Sequence, residues 1–206
     1  MNWNNQEIKD RLFEQISSIG KESALLPFAN VEIDRTIEEL ENSSAVAKAL
    51  EVNQRDILLG EWELMYASNG TVVTRPLAEI TNVFSQGIKV NKIWQSLTAK
   101  GNVIEVSNQA LIELSLLGQI EIGARGIWQP ESDWQTARVT FDAFSTQAKQ
   151  LFGRSDFTLP KLEIPVLEAL QNSALWITSY VDEDTRIGKG ATGNLFVFRR
   201  FELSNF

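Results

Sequence analysis

The chain carries two hydrophobic periods, one after the other. Ile8, Leu12, Ile16 and Ile19 fall at spacings of four, four and three, and Ile33, Ile37 and Leu40 share one face of a second such stretch. Spacings of this kind line one side of a helix with apolar side chains. Asn4 followed by Glu7 has the pattern of a capping box, and Gly20 is placed to end the first helix. Pro27 breaks the chain before a second helix, predicted over about residues 31 to 50 with a possible interruption at Ser43 and Ser44. The polar face of the first helix, with Glu7, Lys9, Asp10, Arg11 and Glu14, mixes both signs. That mixture predicts packing against the rest of the protein rather than against a lipid surface.

From Glu61 onward the period is two. Over residues 58–68 the alternation puts Trp62, Leu64 and Tyr66 on one face and Glu61, Glu63 and Ala67 on the other, the mark of a strand with one side buried. Gly60 just before them lets the chain turn sharply or lets a neighbouring side chain reach its backbone. In residues 87–94 the apolar set slips from Ile88 and Val90 to Ile93, which predicts a bulge. Ile104, Val106, Ala110 and Ile112 face one way with Asn108 among them, an amide that is either satisfied in the core or in contact with a ligand. Gly118, Gly123 and Gly126 surround Ile120, Ile122 and Ala124 in an order unsuited to phosphate binding, so they are expected to bend a strand. Val139, Phe141 and Ala143 share a face of the next strand, and residues 152–158 form a short edge segment. Residues 160–165 are too rich in proline for a central strand and are expected to be exposed or to cover an opening. Residues 175–200 read as two strands joined by a glycine-rich hairpin. Leu195 to Phe198 are apolar on both faces, so the N-terminal helices are expected to cover the outer one. The fold expected is mainly β: an antiparallel up-and-down barrel over residues 56–206, with a helical segment over residues 1–55 packed against it.

Composition removes several functional classes. A chain of 206 residues with 43% hydrophobic and 22% charged residues buries an ordinary core as one main domain. No apolar run approaches the roughly 20 residues of a membrane-spanning helix. A formal charge of -8 without Lys and Arg clusters argues against nucleic acid. With no Cys and no His, thiolate chemistry, the usual triads and His-based zinc sites are unavailable. The first residues lack the pattern of a secretory or transit signal, which predicts a cytoplasmic chain or one already trimmed of a leader.

Residues 58–68, the run Tyr180-Val181-Asp182-Glu183-Asp184-Thr185-Arg186-Ile187 and the run Gly193-Asn194-Leu195-Phe196-Val197-Phe198 resemble the plastid lipid-associated protein (PAP)/fibrillin family, in a cyanobacterial-type member. The resemblance spans about residues 5 to 206, and the Gly60-x-Trp62 start also resembles the lipocalins. It implies a lipocalin-like barrel that binds, transports or scaffolds hydrophobic small molecules: isoprenoid or prenyl lipids, carotenoids or fatty acyl chains. It further implies peripheral contact with thylakoid membranes or lipid globules, from the cytoplasmic side in a cyanobacterium or inside a plastid. No catalysis, cofactor or metal is expected.

The residues expected to line the ligand are Trp62, Leu64, Tyr66, Val90, Val106, Asn108, Ile122, Val139, Phe141 and Tyr180, which offer mostly dispersion contacts. Strand alternation puts Asp182, Asp184 and Arg186 on one side, where Arg186 is expected to bridge carboxylates as a structural clamp. Two acids beside an Arg stay ionised, which is poor for general-acid work. Trp62 is expected to pack beneath Arg199 or Arg200 from the closing strand. Two readings of function stand beside the carrier: an adaptor with a filled barrel that works through its outer surface, and, less favoured because His and Cys are absent, a bilin chromophore lyase.

Overall fold

The computed structural model describes residues 3–27, 30–43, 48–71, 74, 87–115, 118–151, 159–166 and 173–201, so the edge segment expected over 152–158 lies outside the described residues. Three helices come first: α1 (Trp3–Ser18), α2 (Lys21–Leu25) and α3 (Val31–Ser43). Asn4 therefore lies within α1 rather than at its cap. Asn30 caps α3, its side-chain oxygen accepting the backbone N–H groups of Glu32 (3.1 Å) and Ile33 (3.2 Å). A 3₁₀ turn, Arg55–Leu58, leads into the strands.

Nine strands follow: β1 (Gly60–Ala67), β2 (Ile88–Lys100), β3 (Val103–Leu114), β4 (Gly118–Pro130), β5 (Thr136–Leu151), β6 (Leu162–Pro165), β7 (Ser173–Val181), β8 (Thr185–Gly190) and β9 (Leu195–Phe201). Their order, β4-β3-β2-β1-β9-β8-β7-β5-β6 with a further β4–β5 pairing, closes an antiparallel up-and-down ring to which β6 is appended. The long β5 makes this possible: residues 136–140 pair with β7, while residues 143–146 pair with β6. The closing region has three strands where two were expected. The backbone N–H groups of Asp184 and Thr185 both donate to Asp182 Oδ1, and this local turn ends β7 before the glycine hairpin.

Bulges decide which side chains face inward. The β1–β9 register shifts between Leu64 and Tyr66, and the β7–β8 register shifts between Thr178 and Tyr180. One extra residue reverses the facing of all that follow. Trp62 and Leu64 thus enter the interior cluster, whereas Tyr66 and Tyr180 join Ile187 and Val197 in an outer cluster with Ile8, Leu12, Ile16, Ile33, Ile37 and Leu40. This corrects the expectation that Tyr66 and Tyr180 line the lumen. The bulge expected near Val90 is present as a shift between Val90 and Lys92.

The helices are fastened to this outer face by polar contacts around the apolar seam. Tyr66 donates its hydroxyl to Asp34 (3.0 Å), and Tyr180 donates to Asp182 (2.6 Å). Burial raises both phenol pKa values, with the nearby Asp34 charge adding for Tyr66 and the Asp182 hydrogen bond adding for Tyr180. Lys189 reaches Glu41 on α3 at 2.6 Å. Lys9, on α1, contacts both Asp182 and Asp184 at 2.8 Å. Asp182 and Asp184 therefore clamp an N-terminal helix, and not Arg186 as alternation suggested.

Burial opposes the charge on both members of this clamp, but the mutual hydrogen bonds prevail: Lys9 is raised, and Asp184 is held down to about 2 by Lys9 and the Thr185 hydroxyl. A carboxyl depressed from an unfolded value near ~3.9 contributes stability above about pH 4 and loses it as pH falls toward 2; a raised lysine loses its contribution only in strong alkali. Replacing Lys9 with Met should cost about 1–2 kcal/mol at neutral pH, discounted from the buried-pair range because Asp184 is half exposed. Urea titrations at pH 7 and pH 3 should show the gap between wild type and Lys9→Met narrowing in acid; an equal gap at both would remove the clamp from the account.

Candidate functional site

The floor of the barrel is built where the chain enters β1. Gly60 has φ +111°, a left-handed conformation that side chains rarely adopt, and a Cβ there would lie 2.9 Å from Arg200 Nη1. Arg200 uses the room to donate to the carbonyls of Leu59 (2.6 Å), Ile57 (2.5 Å) and Glu183 (2.6 Å). Its guanidinium lies 4.2 Å from the centre of the Trp62 ring, and the indole N–H of Trp62 donates to Leu58 O at 2.8 Å. Arg199, one residue earlier, faces the opposite way and sits 5.2 Å from the Phe13 ring of α1. Ala49, Leu50 and Leu58 are buried in the same interior cluster as Trp62.

Above the floor stands a buried cation. Arg186 is 0% exposed, with its guanidinium 4.3 Å from the Phe198 ring, 5.0 Å from Trp62 and 5.7 Å from Trp128. Nη2 donates to Gln95 Oε1 at 2.5 Å, and Gln95 passes its own amide on to Asn108 Oδ1 at 2.6 Å. Among the described residues, Nε and Nη1 of Arg186 have no hydrogen-bond partner, nor have the buried Trp176 Nε1 and Thr178 Oγ1. Burial, with Arg200 adding repulsion, lowers the Arg186 pKa to about 9. No carboxylate pairs with it among the described residues. Trp176 lies beside the same rings, 5.6 Å from Trp128 and 6.0 Å from Phe198, over the small face left by Gly188.

Facing residues in an antiparallel pair share a side of the sheet, so the register traces the inner wall. One row runs Arg200–Trp62–Gln95–Asn108–Ala124–Phe144–Ile164 across seven paired positions. The next runs Ile93–Ala110–Ile122–Thr146–Leu162. Exposure climbs along these rows. Trp62 is fully buried and Gln95 nearly so, Asn108 and Ala124 are half-buried, and Phe144, Ile164 and Leu162 are 52%, 57% and 58% exposed. The outer edge of β6 pairs with no strand among the described residues.

Of the expected lining residues, Trp62, Leu64, Val90, Val106, Ile122, Val139 and Phe141 belong to the interior cluster, and Asn108 reaches it through Gln95. Tyr66 and Tyr180 lie outside it, and Arg186 stands within the barrel instead of in the Asp182–Asp184 clamp. Gln95, Trp128, Trp176, Thr178 and Phe144 were not foreseen. A signal for the Arg186 position existed: Gly188 and Gly190 alternate with it, and two glycines on one face of a strand leave a hollow that a large neighbour fills.

The geometry defines a class first: a lipocalin-like up-and-down barrel with a sealed floor, an apolar inner wall and a helical outer cover. The PAP_fibrillin family model matches residues 6–199, and the chain belongs to that family, whose members are lipid-associated plastid proteins of generally structural rather than catalytic character. No curated protein and no solved structure matches the chain.

A Cβ at Gly188 would fall inside the Trp176 indole, whereas one at Gly190 would meet only Phe196, at 3.6 Å. Gly188→Ala should therefore destabilise by about 2–3 kcal/mol, and Gly190→Ala by less than about 1. Equal urea midpoints for the two variants would contradict this packing.

Proposed function

We propose that the barrel holds an elongated apolar molecule, of the prenyl-lipid, carotenoid or fatty-acyl kind, non-covalently in its upper lumen. One observation carries this reading: Phe144, Leu162 and Ile164 are apolar, occupy the inner-wall rows and are solvent-exposed. In a barrel filled by its own side chains, inward apolar residues are buried at both ends. Here the lower half is packed with Trp62, Trp128, Trp176 and Phe198, while the upper ends of the inner-wall rows present exposed apolar side chains. Membership of a lipid-associated family supports the same class of ligand. The protein works as a carrier or local reservoir in peripheral contact with a thylakoid membrane or lipid globule.

Burying about 300 Å² of ligand at roughly 25 cal/mol per Å² yields on the order of 7 kcal/mol before ordering costs, which makes micromolar the tightest affinity expected on this account. Ala124 is half-buried midway up the wall, so a large side chain there blocks the lumen without disturbing the floor. Ala124→Trp should weaken binding of a neutral fluorescent polyene alcohol at least about tenfold, equivalent to ~1.4 kcal/mol. An unchanged titration in a folded variant would favour the adaptor reading, in which the outer surface does the work.

A further inference from the structure

We propose that the base of the lumen is an anion site centred on Arg186, and that the barrel selects long-chain carboxylates, bound head-down with the hydrocarbon tail toward the mouth. The proposal rests on the carrier reading above and narrows it.

The unpartnered atoms around Arg186 can all donate a hydrogen bond. A guanidinium is a donor-only group, as is an indole N–H, and a hydroxyl carries a donor. Arg186 Nε and Nη1, Trp176 Nε1 and Thr178 Oγ1 are buried without partners among the described residues. They also lie close together in the fold. Arg186 and Trp176 share Trp128 and Phe198 as ring neighbours, and Thr178 pairs across the sheet with Gly188, two residues from Arg186 on the same face. Buried donors with no acceptor carry the desolvation cost of that vacancy, and a ligand group rich in acceptors and free of donors removes it. A carboxylate is such a group, and its two oxygens match the edge of a guanidinium.

The charge balance points the same way. Two arginines approach the Trp62 ring, and Arg200 spends its nitrogens on three backbone carbonyls. Arg186 has only a neutral amide, Gln95, so one positive charge remains uncompensated in the barrel. Its burial and the repulsion from Arg200 depress its pKa, strain that a bound anion relieves. A single negative charge suffices. The route to the site is polar as well: Gln95 and the half-exposed Asn108 step upward from Arg186 to the row that ends at Phe144 and Ile164. A carboxylate that has passed Ile164, Phe144 and Ala124 meets Asn108 and then Gln95 on its way to Arg186, while its tail stays against the apolar wall.

The test compares a long-chain fatty acid carrying a fluorophore at its tail with the methyl ester of the same molecule, on the full chain. Wild type should bind the acid at least about tenfold more tightly, as hydrogen bonds to charged groups imply. Arg186→Met, a change that buried ion sites commonly tolerate, should bring acid and ester affinities to within about twofold of each other. If the ester binds wild type as well as the acid does, or if the preference survives Arg186→Met, the anion site is wrong and the apolar carrier stands. If neither molecule binds, both readings fall. A second measurement needs no variant. With acid labelled by ¹³C at the carboxyl and at the terminal methyl, a water-soluble relaxation agent should broaden the methyl signal and spare the carboxyl; the reverse pattern would place the head at the mouth and overturn the proposal.

Discussion

The fold depends on Arg200. This one side chain crosses from the last strand to the carbonyls of Ile57 and Leu59 just before the first, takes a third carbonyl at Glu183 in the β7–β8 turn, and stacks on Trp62. Barrel closure requires distant ends of the chain to meet, and the entropy of that meeting is offset only where several bonds form at once. Gly60 belongs to the same knot, since any side chain there would occupy the space of the guanidinium. The floor is thus tied together by many contacts at once, and the exposed apolar side chains of the inner-wall rows lie at the other end.

Two faces of the sheet divide the work. The strands β7, β9 and β1 carry apolar side chains outward as well as inward, and β8 adds Ile187 to the outer face, which is why a helical layer must lie over them. Charge follows the same partition. Lys9, Asp182, Asp184, Lys189 and Glu41 pair at the helix–barrel boundary, where each cation has a carboxylate within hydrogen-bond reach to set against its burial. The cation of Arg186 lies on the other side of the sheet, among rings and amides, where no ion pair offsets its burial.

Much of this was legible in the residues. The change from a helical to a strand period located the barrel, the stripe from Ile8 to Ile19 identified a covering helix, and the apolar run from Leu195 to Phe198 required one. The facing of Tyr66, Tyr180 and Arg186 was not legible beyond the bulges, because one inserted residue reverses every later side chain and strict alternation carries no trace of it. Asp182 misled for a related reason: its side chain ends β7 by accepting two backbone N–H groups, so the run to Arg186 is a turn between strands and not one strand. The pairing of Arg186 with Gln95 joins residues 91 positions apart, a separation at which only the folded register brings them together.

The two bulges also sort the chromophores. Both tyrosines of the chain lie between the helices and the outer wall, whereas Trp62, Trp128 and Trp176 stand together inside the barrel. Lifting the helices exposes the phenols and leaves these three indoles in place, while a molecule entering from the mouth approaches the three and leaves the phenols alone. The phenols therefore report on the docking of the helical cover with no label required, whereas indole emission reads the interior alone only once Trp3, Trp94 and Trp134, the three indoles elsewhere in the chain, are replaced.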